Sequence, residues 1–376
     1  MEERVRDLLS RMTVGEKARQ LDMYAGPTAE RRDVGRAVRE MKARGFRPED
    51  GLALWGHLGV GSMHDLHPNA ELANTLQQWV MENSRLGIPV IYIEEGLHEF
   101  SNGTVFPSPL NLSATFNPGL ARRTGAAIAA EARAAGADML LAPVLDLAVS
   151  LKSLAYRAAS AVRGSVARAF TAKWPLTIGW AKDHVPAILE AWYPAEFGGT
   201  AIAETLFGDN PPAGRLTVTF PRSQGQLPVY YNADPSKIHR YVGEDPSPLF
   251  PFGLGLSYTT FEYRNLTAIS PKAGGAEDLI VKVDVVNTGD VEADEVAQLY
   301  LRKDVSSVET PARALKAFER VHLKPKESRT VTFRVPQAQL EIWNAQQRWV
   351  VEPGDYTAWA GGSSAATLRA KFVVTR

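Results

Sequence analysis

GIPVIYIEEGLHEF, residues 87–100, decides how the first half of this chain reads. Gly87 ends a helical pattern, Ile88–Ile93 is an unbroken apolar run of strand length, and two carboxylates, Glu94 and Glu95, follow it. A strand apolar on both faces belongs in a parallel sheet covered by helices, so helices and further strands should flank it. Upstream, Leu72, Leu76, Trp79 and Val80 recur at helical spacing and predict an amphipathic helix over 69–86. Before that helix, Leu58–Met63 (LGVGSM) predicts a short buried strand. Downstream, Asn117 and Pro118 form a helix start, and the alanine-rich stretch they open runs to Gly136, ahead of a third strand over Met139–Leu147. At the start of the chain, Val5, Leu8, Leu9 and Met12 fall on one helix face, and Thr13-Val14-Gly15-Glu16 reads as a capping box opening a second short helix.

These strand–helix units fill roughly 150 residues, whereas a closed barrel of eight such units needs about 250. Either the sheet of residues 1–148 is therefore open, or the strands missing from a (β/α) barrel-like part come from somewhere else. Residues 149–173 form an atypical Ala/Ser/Arg-rich connector, followed by a helical pattern over 181–209 and extended segments over 210–251. Residues 258–376 carry seven short strand candidates: Leu279–Val286, Glu295–Leu301, Ala314–His322, Arg329–Val335, Trp349–Val351, Tyr356–Gly361 and Leu368–Val374. Turn sequences such as Asn287-Thr288-Gly289-Asp290 separate them, which argues a fibronectin type III-like β-sandwich. The fold class expected is multidomain, α/β plus all-β.

Composition narrows function. The 376 residues hold 42 basic and 42 acidic side chains, so no net field draws the chain to nucleic acid or an anionic membrane. With no cysteine, disulfides, thiolate metal sites and a cysteine nucleophile are excluded. The opening residues are charged where a secretory signal would be apolar, and the expectation is a cytoplasmic chain. No phosphate-cradling glycine loop opens a predicted helix, so no cofactor is expected.

In parallel sheets, ligands sit beyond the carboxyl ends of the strands. Here that rim carries His64 and Asp65, then Glu94 and Glu95 with His98 close behind, then Asp146. Carboxylates in such a place suit sugar hydroxyls, or acid/base and nucleophilic work at an anomeric carbon. Asp65 and Asp146 equally suit the capping of turns or helices, and one of the two adjacent glutamates must point away from the other. His64 and His67 have a metal-compatible spacing but no third ligand, so no metal is expected. Gly253-Leu254-Gly255-Leu256-Ser257 lacks the glycine a nucleophile elbow requires, and Trp192, Tyr230 and Tyr231 could stack on a sugar or pack one layer on another.

The opening RVRDLLSRMTVGEKARQL, then GIPVIYIEEGLHEF, then residues 104–148 closely resemble the N-terminal barrel of glycoside hydrolase family 3, the β-glucosidase and β-xylosidase group. Residues 184–232 are similar to the end of that family's second, α/β-sandwich domain, and RYVGEDPSPLFPFGLGLSYTTFEY (240–263) to the start of its fibronectin-like third domain. The resemblance implies hydrolysis of β-linked glucosides or xylosides by a retaining mechanism. It places Glu95 where the family's early-strand carboxylate binds hydroxyls of the sugar, with Glu94, Asp65, Asp146 and His98 as further candidates.

After Val144-Leu145-Asp146-Leu147-Ala148, the family's remaining barrel strands, its nucleophilic aspartate and the acid/base glutamate of its second domain have no counterpart here. The catalytic residues themselves are thus unknown in this chain, and the alternative reading is a non-catalytic, sugar-binding or interaction remnant. An incomplete barrel leaves an unpaired sheet edge, which predicts a marginal or self-associating N-terminal part, through that edge a homo-oligomer, and a C-terminal sandwich able to fold alone.

Overall fold

The computed structural model describes residues 2–21, 23–25, 56–64, 70–100, 103–142, 169–170, 177–233, 243, 245–275 and 277–376. They fall into two compact units, one built from 1–106 and 119–146, the other from 107–118 and 147–376. Asp65, His67, Asp146 and nearly all of the 149–173 connector lie outside the described residues.

The first unit opens with α1 (Glu2–Arg11) and α2 (Val14–Arg19). The capping box forms as the sequence predicts: Glu16 N donates to Thr13 Oγ1 at 3.2 Å, and Thr13 N donates to Glu16 Oε2 at 2.8 Å. The same carboxylate receives both arms of Arg85, at 2.7 and 2.6 Å. Arg85 and the Thr13 amide hold the Glu16 carboxyl down at about 2, and its residue is only 4% exposed.

Four short parallel strands follow in the order of the chain: β1 (Met23–Ala25), β2 (Ser62–His64), β3 (Ile91–Glu95) and β4 (Met139–Leu141). The helix α3 (Ala70–Asn83) lies between β2 and β3 in sequence and buries Ala73, Leu76 and Val80, one stripe at helical spacing, against Val60, Met63, Val90 and Tyr92. Gln77 locks it in place by giving and accepting a hydrogen bond at the backbone of Val90. Gly61 admits the chain where no side chain would fit, since a Cβ there would stand 2.0 Å from the Gln20 carbonyl oxygen. The sheet is open among the described residues, so the barrel-like expectation holds only as far as an α/β layer. β1 went unread because its three residues carry no periodic signal, and the strand expected at 58–63 begins only at Ser62, after a 3₁₀ turn at Gly56–Leu58.

In the second unit, α4 (Pro109–Ala114) precedes α5 (Pro118–Ala134), which begins here and runs on into the first unit. A two-residue parallel pair, β5 (Ala169–Phe170) and β6 (Leu189–Glu190), accompanies α6 (Gly179–His184) and α7 (Gly198–Phe207). The helical pattern expected over 181–209 is therefore two helices separated by a strand and the Trp192–Pro194 loop. Proline 186 and proline 194 break it. Asn111 ties that loop down, donating to Ala191 O at 2.8 Å and accepting from Tyr193 N at 3.1 Å. Trp192 (φ 46°) and Ala195 (φ 69°) are held in the left-handed region.

The sandwich then builds from β7 (Phe261–Ile269), β8 (Leu279–Asn287), β9 (Ala293–Lys303), β10 (Ala314–Leu323), β11 (Ser328–Val335), the ribbon β12 (Ile342–Trp343) and β13 (Trp349–Val350), β14 (Gly354–Gly361) and β15 (Arg369–Val374). One sheet runs β10-β9-β14-β15, the other β11-β8-β7, all antiparallel. All seven expected strands are present; β7 and β12 are additions. β8 shows why the alternation was readable: Leu279, Val281, Val283 and Val285 are each 0% exposed while the residues between them are polar or half-buried. Ahead of the sandwich, Gly253 (φ 82°) lies where a Cβ would be 2.1 Å from Gln298 Oε1, and the buried Gln298 amide donates to the carbonyls of Gly253 and Gly362. A fully buried ion pair, Arg215 Nη2 to Glu295 Oε2 at 2.5 Å, joins the segment after α7 to β9, with Tyr263 Oη donating to the other carboxylate oxygen at 2.7 Å. Burial pushes the Glu295 carboxyl up, against the pull of Arg215 and Tyr263.

Candidate functional site

The parallel sheet has two unlike faces. Successive strand residues point to opposite sides. Tyr92 reaches α3, its hydroxyl donating to Ala73 O at 3.0 Å, and Leu140 packs among Phe100, Ile128, Ala132 and Ala137 under α5. Glu94, two residues beyond Tyr92 and paired in register with Leu140, shares that helix-covered side and is 0% exposed. Glu95 takes the other side with Ile91, Ile93 and Met139; here Ile91 and Met139, each the first residue of its strand, are 49% exposed, while Ile93 between Ile91 and Glu95 is 8% exposed.

On this face, which no helix among the described residues covers, at the carboxyl ends of adjacent strands, His64 and Glu95 come together. His64 Nε2 stands 3.7 Å from Glu95 Oε1, an ion-pair distance when the ring is protonated and beyond hydrogen-bond range. The His64 side chain is 15% exposed and that of Glu95 50%, so the carboxylate projects outward beside a more sheltered ring. Two carboxylate oxygens at a strand end can each accept from one of two adjacent sugar hydroxyls, and an imidazole beside them can donate or accept a third bond. In sequence, His64 reads as a rim residue and as one half of the His64–His67 spacing; its pairing with Glu95 follows from a register that sets it opposite Ile93, two residues short of Glu95.

The remaining candidates separate. His98 is half-buried in the loop after β3, its Nδ1 3.1 Å from Phe106 O, while Phe106 N donates to His98 O, so it pins a loop closed on itself. That loop is also tied to α5, where Glu131 accepts from the Thr104 amide and hydroxyl at 2.9 and 2.6 Å. Among the described residues no cluster of three or more His, Asp or Glu could hold a metal ion. Of the aromatic candidates, Trp192 is 2% exposed in the core with Phe220 and Leu249, and Tyr231 stacks on Phe252 at 4.4 Å; Tyr230 alone is open, at 52%. The Gly253–Gly255 glycines serve close packing, since a Cβ at Gly255 would be 2.1 Å from Gly214 O.

Comparison with known proteins follows the same order along the chain. Residues 14–172 match the glycosyl hydrolase family 3 N terminal domain, 145–258 the glycosyl hydrolase family 3 C-terminal domain, and 295–364 a fibronectin type III-like domain. A β-xylosidase of Formosa agariphila is 43% identical over 196 residues, 51% of this chain and 27% of that protein. A periplasmic β-glucosidase of Salmonella typhimurium is 40% identical over 209 residues, 53% and 27% of the two chains. The crystal structure of a β-glucosidase from Listeria innocua in complex with gluconolactone superposes on 54% of this chain and 30% of its own, with a TM-score of 0.50 and 32% identity. A broader superposition on the glucose complex of the Listeria innocua enzyme takes in 94% of this chain but 46% of that one, at a TM-score of 0.51 and 23% identity, a likeness of fold alone. The matched stretches span between about a quarter and a half of these relatives. With two family 3 domains in succession and a fibronectin-like sandwich behind them, this chain belongs to glycosyl hydrolase family 3.

Proposed function

We propose that this chain carries the sugar-cradling part of a family 3 glycosidase pocket, with Glu95 accepting hydroxyls of a β-linked glucoside or xyloside and His64 bordering the same subsite. The observation that carries this is the meeting of Glu95 and His64, 3.7 Å apart, at the ends of adjacent parallel strands on the face that no described helix covers. The names of the Formosa and Salmonella relatives support the sugar class. On this reading β1–β4 are the first strands of a (β/α) barrel, and the chain divides into that partial barrel (1–148), a connector (149–173), the remnant of the second domain (174–257) and the sandwich (258–376).

A retaining glycosidase needs two carboxyl groups about 5–5.5 Å apart across the scissile bond, and proton donation to the leaving group alone is worth 10²–10⁴-fold. The family segments that supply both groups lack counterparts in this sequence, which favours a chain that binds sugar with little or no turnover. Titration calorimetry with glucose, xylose and gluconolactone, beside an assay with an aryl β-glucoside, tests this. The expected result is saturable binding, weakened about tenfold or more by Glu95→Gln, without turnover. Binding untouched by Glu95→Gln removes that residue from the subsite. Turnover abolished by the same substitution assigns Glu95 a catalytic role instead.

A further inference from the structure

We infer that the β12–β13 hairpin of the sandwich is a carbohydrate site in its own right, a pair of tryptophans that takes a twisted β-1,4-linked chain of the xylan kind. It lies in the second unit and stands apart from the Glu95 reading.

Trp343 and Trp349 face each other in register across this short ribbon, and the pair beside them is Ile342 with Val350. Alternation along a strand sends neighbouring pairs to opposite sides. Ile342 and Val350 are half-buried, whereas Trp343 is 49% and Trp349 63% exposed. Tryptophan is highly buried on average, as Trp359 of the same sandwich is, at 8%. Two adjoining open indoles form an apolar surface of the kind that marks a binding site.

The hairpin is fixed at both ends. At its feet, Leu340 is buried in the sandwich core and Val351 packs against that core. At its tip, Asn344 Oδ1 accepts from the amides of Gln346 and Arg348 at 3.0 and 3.1 Å, and Asn344 N donates to Arg348 O at 3.0 Å. The rings therefore meet a ligand already ordered, which lowers the entropy cost of binding.

The exposed residues between the tryptophans are Ala345, Gln346, Gln347 and Arg348. A pyranose offers a face of C–H bonds that packs on an indole and a rim of hydroxyls that pair with amide and guanidinium groups. A single cation does not hold an anionic membrane surface, which takes a cluster of them. The inclination of the rings selects the type of chain. Their centroids are 5.4 Å apart, about one sugar unit of a β-1,4-linked chain, and their planes are inclined at 61°. Successive sugars of a flat, cellulose-like chain are flipped by half a turn, which leaves their planes parallel. In a xylan-like chain each sugar turns by a third of a revolution, and neighbouring planes are inclined much as the two indoles are.

Titration calorimetry of the complete chain with xylohexaose and cellohexaose tests this, run on Glu95→Gln so that the subsite of the first unit does not contribute. Xylohexaose is expected to bind at least fivefold more tightly than cellohexaose. Trp343→Ala and Trp349→Ala, each with an unchanged far-ultraviolet circular dichroism spectrum, should weaken it at least tenfold, and Trp349→Tyr, which keeps a ring face, should weaken it less. Absence of xylohexaose binding overturns the inference. So does binding that neither alanine variant weakens, even if the thermal midpoint falls, since the pair is then a clasp for the hairpin. Binding seen with Glu95 intact and lost in Glu95→Gln also overturns it and moves the site to the first unit. Cellohexaose bound as tightly as xylohexaose overturns the twisted-chain assignment. Co-sedimentation with phosphatidylcholine vesicles that Trp349→Ala abolishes, without xylohexaose binding, overturns the inference in favour of a lipid surface.

Discussion

β8 in the sandwich and β3 in the parallel sheet are both apolar strands in the middle of a layer, and they end up unequally covered. The inward residues of β8 are sealed at 0% exposure because the opposing sheet, β10-β9-β14-β15, comes from the next 90 residues of chain. β3 is sealed on one side by α3 and α5, while on its other side Ile93 is 8% exposed and Ile91, at the strand's start, is 49% exposed. An antiparallel sandwich covers itself with sequence neighbours, whereas a parallel sheet relies on strands and helices supplied further along. Removing the middle of a chain therefore spares the first architecture and undresses the second.

The severest way to break this contrast is to attack the sandwich's buried charge. Arg215→Ala should destabilise the second unit by about 3–5 kcal/mol, because Glu295 is left buried without its counter-charge. Replacing both partners by apolar residues of similar size, Arg215→Met with Glu295→Leu, should recover most of that loss in urea unfolding. Next in size, Leu323→Ala should cost about 2–5 kcal/mol at a 0%-exposed position, while Ile91→Ala on the bare sheet face should cost under about 1 kcal/mol. Equal losses at the two sites would mean that the open face is covered after all.

A smaller effect, of opposite sign, belongs to the loop after β6. Ala195 sits at φ 69°, where a Cβ costs about 1–2 kcal/mol, so Ala195→Gly should raise the thermal midpoint slightly. The last prediction is local to the first unit. The Glu16 carboxyl is lowered to about 2 by Arg85 and the Thr13 amide. Its contribution is present above the ordinary carboxylate range near 4.5 and fades as pH falls toward 2. Amide exchange in α2 should accelerate over that window, and Glu16→Gln should abolish the pH dependence there.

How much the sequence disclosed follows the same divide. In the sandwich, alternation with period two and turn residues between strands made seven strands legible; β12 escaped because two residues carry no period, and β7 because its polar outer face dilutes the pattern. In the first unit, α3 was readable from its periodicity, α5 from its Asn117-Pro118 start and alanine content, and β3 from its apolar run, although the strand begins at Ile91 and takes in Glu94 and Glu95 instead of spanning 88–93; the 181–209 stretch misled, since its helical pattern continues across two prolines and a strand. At the candidate site, strand alternation foretold that Glu94 and Glu95 would part, without saying which of them faced the helices. That was decided by Tyr92 and Leu140, whose partners on α3 and in the α5 cluster sequence spacing alone does not reveal.

The Arg215–Glu295 pair also dictates where this molecule can be cut. Severing the chain at the compositional boundary near 258 would strip Glu295 of its cation and the Gln298 amide of the Gly253 carbonyl, leaving polar groups stranded inside an otherwise finished domain. A sandwich prepared in isolation should keep everything from about Gly214 onward, or carry neutral replacements at both positions, if it is to be soluble.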